Sequence, residues 1–66
     1  MTWEYNTANW EGRSDQPNAV DDGVRRSFDA WLNKAAYAGW EPFDLGEWGM
    51  HGIKCWREVT FRRLRD

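Results

Sequence analysis

The stretch IKCWREVTFRRLR, residues 53–65, decides the fold. Ile53, Cys55, Val59 and Phe61 alternate with Lys54, Trp56, Glu58, Thr60 and Arg62, the two-residue period of a strand with one buried and one outward face. It is the longest and cleanest strand pattern in the chain, so the other elements are arranged around it.

Directly before it, GEWGMHG (46–52) reads as a turn; its glycines recur every third position without the basic residue and following helix of a phosphate loop. WEPFDLGEW (40–48) reads as a second, shorter strand with Phe43 and Leu45 on one side and Asp44 on the other. Pro42 has no amide hydrogen to give a ladder, which confines this strand to a sheet edge or requires a bulge. Further upstream, GVRRSFDAWLNKAAYAG (23–39) sets Val24, Phe28, Trp31, Leu32 and Ala35 on one helical face. Asp21 or Asp22 is suited to cap its start, and Gly39 to the left-handed position just past its end. TWEYNTANW (2–10) is aromatic and alternates Trp3 and Tyr5 against Glu4 and Asn6, a first strand whose Trp3 and Tyr5 are expected to face the helix. Between them EGRSDQPNAVDD (11–22) is an acidic loop of a length expected to be functional or disordered.

The order is β-α-β-β. Pairing the long last strand antiparallel with both others gives a three-stranded α+β sheet of spatial order 1-3-2, one helix on one face, and Pro42 on an edge. With 66 residues the chain is read as one domain, 1–66, which hides only about 60% of the surface its unfolded form exposes. A single cysteine, Cys55, rules out an internal disulfide, and no cysteine–histidine set exists for a structural zinc. Dense aromatic packing or self-association must supply the missing stability. Hydrophobic residues at 41% and aromatics at 17% place the chain among folded proteins. MTWEYNTANW has neither the basic start nor the apolar run of a signal peptide, and no run is long enough for a membrane span; a cytoplasmic protein is expected.

WEY on the first strand, LNKAAYAGWE at the helix end and VTFRR on the last strand together resemble the small bacterial and phage domain-of-unknown-function family numbered 4177. That family carries a YEY-like strand, a Gly-Trp-Glu signature after the helix and a closing Phe-Lys/Arg-Arg, here matched by Gly39, Trp40, Glu41, Phe61 and Arg62. Pro42 and the long acidic loop depart from its pattern. The resemblance implies the fold over nearly the whole chain and brings no activity with it.

Charge is uneven. Residues 1–51 hold nine acids against four bases, and residues 52–66 five bases against two acids. The acids Asp15, Asp21, Asp22, Glu41, Asp44 and Glu47 are the candidate face for a basic partner; helix capping and solubility are the plain alternative, and calcium-loop spacing is missing. Trp31 belongs to the helix core face. Trp10, Trp40, Trp48 and Trp56 exceed the room beneath one short helix, since each can bury roughly 150–250 Å². Some of them are expected on the open sheet face or in the turn, as an aromatic interface, unless loops fold over them. Arg57, Arg62, Arg63 and Arg65 are candidate anion contacts, but Glu58 interrupts them and the body is acidic, which weakens the case for nucleic acid. A His51–Cys55 nucleophilic pair fails because alternation sends Cys55 inward and leaves His51 on a turn, with no third group to orient them. No enzyme activity, cofactor or metal is expected.

The functional expectation is a non-catalytic protein-binding module. Its concrete form is a phage or mobile-element inhibitor or accessory protein of the anti-CRISPR type, which occludes a basic surface, for example on a nucleic-acid-binding host complex. A self-associating structural module, including a homodimer, is one alternative. Single-stranded nucleic-acid binding through Trp56 and the C-terminal arginines is the other.

Overall fold

A computed structural model describes residues 1–65. It contains β1 (Thr2–Arg13), α1 (Asp22–Tyr37), β2 (Glu41–Leu45), β3 (Gly49–His51) and β4 (Lys54–Arg65). The fold is α+β, with β4 at the centre of an open antiparallel sheet of order β1-β4-β2 and α1 on one face. The expected central strand and the 1-3-2 arrangement are therefore present.

The fourth strand, β3, comes from the stretch read as a turn. At 12 residues β4 far outruns the 5 of β2, and Gly49–His51 pairs along the part of β4 that β2 leaves open. Gly52, at φ +61°, takes the first place in the two-residue turn from His51 to Lys54, where left-handed backbone is required. Pro42 meets both of its conditions, since β2 is an edge strand and its register against β4 shifts between Pro42 and Asp44.

β1 runs three residues further than the sequence pattern, through Glu11–Arg13, in unbroken register with Trp56, Cys55 and Lys54. Gly12 allows this because the Trp10 indole lies across it; a Cβ there would sit 2.3 Å from the ring. What remains of the acidic loop is a hydrogen-bonded knot rather than a free excursion. Ser14 is buried, its amide donates to the Ile53 carbonyl at 2.8 Å, and Asn18 exchanges hydrogen bonds with Gly52 at 2.6 and 3.1 Å. Asp21, not Asp22, is the N-cap: its Oδ1 accepts from the Val24 amide at 2.8 Å, and its Oδ2 from the Asp15 amide at 2.7 Å and the Ser14 hydroxyl at 3.2 Å. The helix closes with the Gly39 amide on Ala36 O and the Trp40 amide on Ala35 O, at 2.9 and 3.0 Å, with Gly39 at φ +90°.

Val24, Phe28, Cys55, Val59 and Phe61 form the buried core. Trp31, Leu32 and Ala35 of α1 pack around it with Ala8, Trp10, Trp40 and Trp48. The molecule is a ribbon, 45 × 18 × 11 Å, with a radius of gyration of 13.3 Å against about 11 Å for a typical compact chain of this length. A 16-residue helix covers about 24 Å, whereas the β1–β4 ladder runs about 40 Å. The Thr2–Tyr5 and Arg62–Arg65 end therefore projects beyond the helix.

Candidate functional site: the open face of the sheet

Antiparallel partners share a face, so the register assigns every side chain of the ladder. Ala8, Trp10 and Gly12 go with Val59, Arg57 and Cys55 to the helix side. Trp3, Tyr5, Thr7, Asn9, Glu11 and Arg13 go with Leu64, Arg62, Thr60, Glu58, Trp56 and Lys54 to the open side. The expectation that Trp3 and Tyr5 lie under the helix is thus reversed. Both parities of β1 carry aromatics, and pairing of Trp10 and Ala8 with the core of β4 decides between them.

The bulge then adds a ring from β2. Pro42 opposes Phe61 and Asp44 opposes Thr60, so the extra residue, Phe43, turns onto the open face beside Asp44, and Leu45 opposes Val59. This differs from simple alternation, which set Phe43 with Leu45. Phe43 meets Tyr5 edge-on at 5.6 Å and 70°. Between Trp3 and Phe43 lies the Arg62 guanidinium, 4.1 Å and 4.6 Å from the two ring centres, with Glu41 at 3.5 Å. Arg62 Nε is buried there without a hydrogen-bond partner: the rings hold the guanidinium by its faces, and Glu41 meets only its Nη2 end. The rings nevertheless stay open to solvent, Trp3 at 44%, Tyr5 at 54% and Phe43 at 53%, with Leu64 beside them at 48%. Beyond this cluster Thr7 and Thr60 share a hydrogen bond at 3.2 Å, and Asp44 and Glu58 are exposed.

On the helix side of the same projecting end, Glu4 accepts from Arg63 Nε and Arg65 Nη1, at 2.5 and 2.9 Å, and Trp40 lies under the Arg63 guanidinium at 4.4 Å. The Arg63 hydrogen bond, supported by Arg65, holds the Glu4 carboxyl below the usual carboxylate range. Asp21 is lowered too, chiefly by the Asp15 and Val24 amides.

Of the tryptophans expected outside the core, Trp10, Trp40 and Trp48 are half-buried around Phe28 and Phe61, and only Trp56 reaches the open face. Room is found because the rings meet edge to face: Trp10 and Trp48 contact Phe28 at 5.5 and 5.0 Å and each other at 5.9 Å. Trp56 is 38% exposed and lies flat across Gly49, whose Cβ would fall 2.0 Å from the indole nitrogen. Ile53, expected inward, is 43% exposed because it sits in the β3–β4 turn.

The six candidate acids do not form one patch. Asp15, Asp21 and Asp22 lie at the start of α1, whereas Glu41 and Asp44 lie past its other end on the open face, and Glu47 is exposed between β2 and β3. The candidate anion contacts are engaged internally. Arg57 stacks on Phe28 and Trp48 at 5.2 and 5.0 Å and donates to the Gly46 carbonyl at 2.7 Å, on the helix side. Arg62 and Arg63 have the aromatic and carboxylate partners described above. His51 opposes Lys54 on the open side, away from the buried Cys55, so the two do not meet.

Among the described residues no group of three or more His, Cys, Asp and Glu could hold a metal ion, and no helix is long and apolar enough to cross a membrane. Comparison with family models, curated proteins and solved structures finds no match, so the likeness carried by Gly39, Trp40, Glu41, Phe61 and Arg62 stands as a resemblance alone.

Proposed function

We propose that this chain is a non-catalytic protein-binding module that engages a cationic protein surface through the open face of its sheet. The observation that carries the reading is the contiguous, half-exposed cluster of Trp3, Tyr5, Phe43 and Leu64, which α1 leaves uncovered. Exposed apolar patches bordered by polar groups mark interaction sites, and large aromatics supply most of the affinity at such sites. Asp44 and Glu58 lie on the same face and suit arginine or lysine side chains of a partner, whereas Glu41 is engaged by Arg62. The stacking of Arg62 against Trp3 and Phe43 supports an affinity of these rings for guanidinium groups. An inhibitor or accessory protein of phage or mobile-element origin, of the anti-CRISPR type, occluding a basic groove is the concrete form of this function. In this form the acids that count are those of β2 and β4, not those of the helix start.

Single-stranded nucleic acid is the weaker occupant. Arg62 is tied to Glu41 and two rings, and the cations of the open face that remain, Arg13 and Lys54, lie about 30 Å along the strands from Trp3. The test is calorimetric titration with an octa-arginine peptide and, separately, with an oligothymidylate. The reading expects saturable binding of the peptide, weakened at least about tenfold by Trp3→Ala or Phe43→Ala, as loss of an anchoring aromatic does. Oligothymidylate binding that falls steeply with salt, or peptide binding indifferent to both substitutions, would overturn it.

A further inference from the structure

The two outer edges of the sheet are built differently. On one side β2 has five residues, a proline and a bulge, and β3 only three residues, the devices by which a sheet edge is protected from pairing with another strand. On the other side β1 has none of these. It is 12 residues long, free of proline and lysine, unbroken in register, and pairs with β4 alone. Its outer edge thus offers a long row of backbone N–H and C=O groups in a regular extended geometry.

We propose that β1 pairs antiparallel with β1 of a second copy of this chain, joining two sheets into one across a two-fold axis. Three observations favour a second copy as the occupant. First, the single chain has 4905 Å² of accessible surface, where a monomer of its mass exposes about 4,400 Å². Second, its buried apolar core consists of five side chains, and small domains without disulfide or metal commonly associate.

Third, the sequence of β1 is compatible with itself. Continuity of the two faces requires odd residues to oppose odd and even to oppose even. Glu4 and Glu11 differ in parity and so never face each other. Two registers give the longest overlap, centred on Thr7 or on Ala8. The one centred on Ala8 also sets Arg13 of each copy against Trp3 of its partner, and Glu11 against Tyr5, on the open face. It joins the two open faces into one surface with an aromatic cluster on either side of the axis. This pairing uses the edge of the sheet and does not depend on what the face binds.

Amide hydrogen exchange, read residue by residue by NMR at about 1 mM and about 10 µM protein, tests the proposal, with sedimentation equilibrium over the same range. In an isolated edge strand every second amide points to solvent; in the dimer all of them are bonded. The expected result is slow exchange along the whole of Trp3–Arg13 when concentrated. On dilution the outward set should speed up by at least about tenfold as the mass falls to that of one chain. Asn6→Pro and Thr7→Pro provide the control, because one of two adjacent amides faces outward: one variant should remain folded by circular dichroism and be monomeric throughout. Alternate fast exchange with a monomer mass at about 1 mM would overturn the proposal, as would association that survives in the folded proline variant.

Discussion

Phe28 and Phe43 stand in opposite environments within one small chain, and replacing each with alanine separates the core from the open face of the sheet. Phe28 is 3% exposed and touches Trp10, Trp31, Trp48 and the Arg57 guanidinium, all within 5.9 Å of its ring centre. Phe28→Ala opens a cavity that these rings, fixed by one another, cannot collapse to fill, at a cost of about 3–5 kcal/mol. Phe43 is half exposed and touches Tyr5 and Arg62 alone among the aromatic and cationic groups, so Phe43→Ala costs about 1–2 kcal/mol. A chain of this length has a total stability of about 3–10 kcal/mol, so the first substitution removes much of it and the second does not. Urea unfolding followed by far-ultraviolet circular dichroism, at dilute protein, resolves the difference. With a slope near about 1 kcal/mol/M for so small a domain, the midpoint should fall by about 3 M or more for Phe28→Ala and by about 1–2 M for Phe43→Ala. Equal losses would refute the reasoning, because Phe43 would then be covered as fully as Phe28 and the open face would not be open.

Three further outcomes follow from the same geometry. Glu4 and Asp21 titrate below their ordinary values in the folded chain, so the unfolded chain binds more protons in acid; the stability they contribute is complete above the ordinary carboxylate range and is lost as pH falls through their lowered values. Thermal melts from pH 6 to pH 2 should show that loss, and Glu4→Gln should flatten part of it. Gly39→Ala, at φ +90°, should cost about 1–2 kcal/mol, whereas Gly23→Ala in the first turn of α1 should be neutral or stabilise by up to about 1 kcal/mol; paired melts check both signs. Gly49→Ala would drive a methyl into the Trp56 indole, so that the ring must leave its place over β3 at a cost of about 1–3 kcal/mol; the Trp56 indole N–H resonance should shift while that of Trp10 stays.

The architecture was legible because its signals are local. The alternation in 53–65, the period-3.6 face of Val24, Phe28, Trp31, Leu32 and Ala35, the Gly39 stop and Pro42 each point to one element, and together they leave few topologies. The candidate site was not legible, because its residues depend on pairing. Trp3 and Tyr5 alternate as well as Ala8 and Trp10 do, so β1 alone does not say which set meets the helix. The decision lies in the register with Val59 and Phe61. Phe43 was misplaced for a related reason: the bulge signalled by Pro42 shifts every residue after it by one place, and its position is fixed only against Phe61 and Thr60. The surplus of tryptophan was overcounted, since edge-to-face contacts let Trp10 and Trp48 share the space around Phe28.

The central claim is that the open face, not the acidic helix start, receives a cationic partner. Its most direct test is backbone and indole chemical-shift mapping during titration with the octa-arginine peptide. The account predicts the largest shifts at the Trp3 indole and at Tyr5, Phe43, Asp44 and Thr60. Shifts centred on Asp15, Asp21 and Asp22, with Trp3 and Phe43 unmoved, would contradict it.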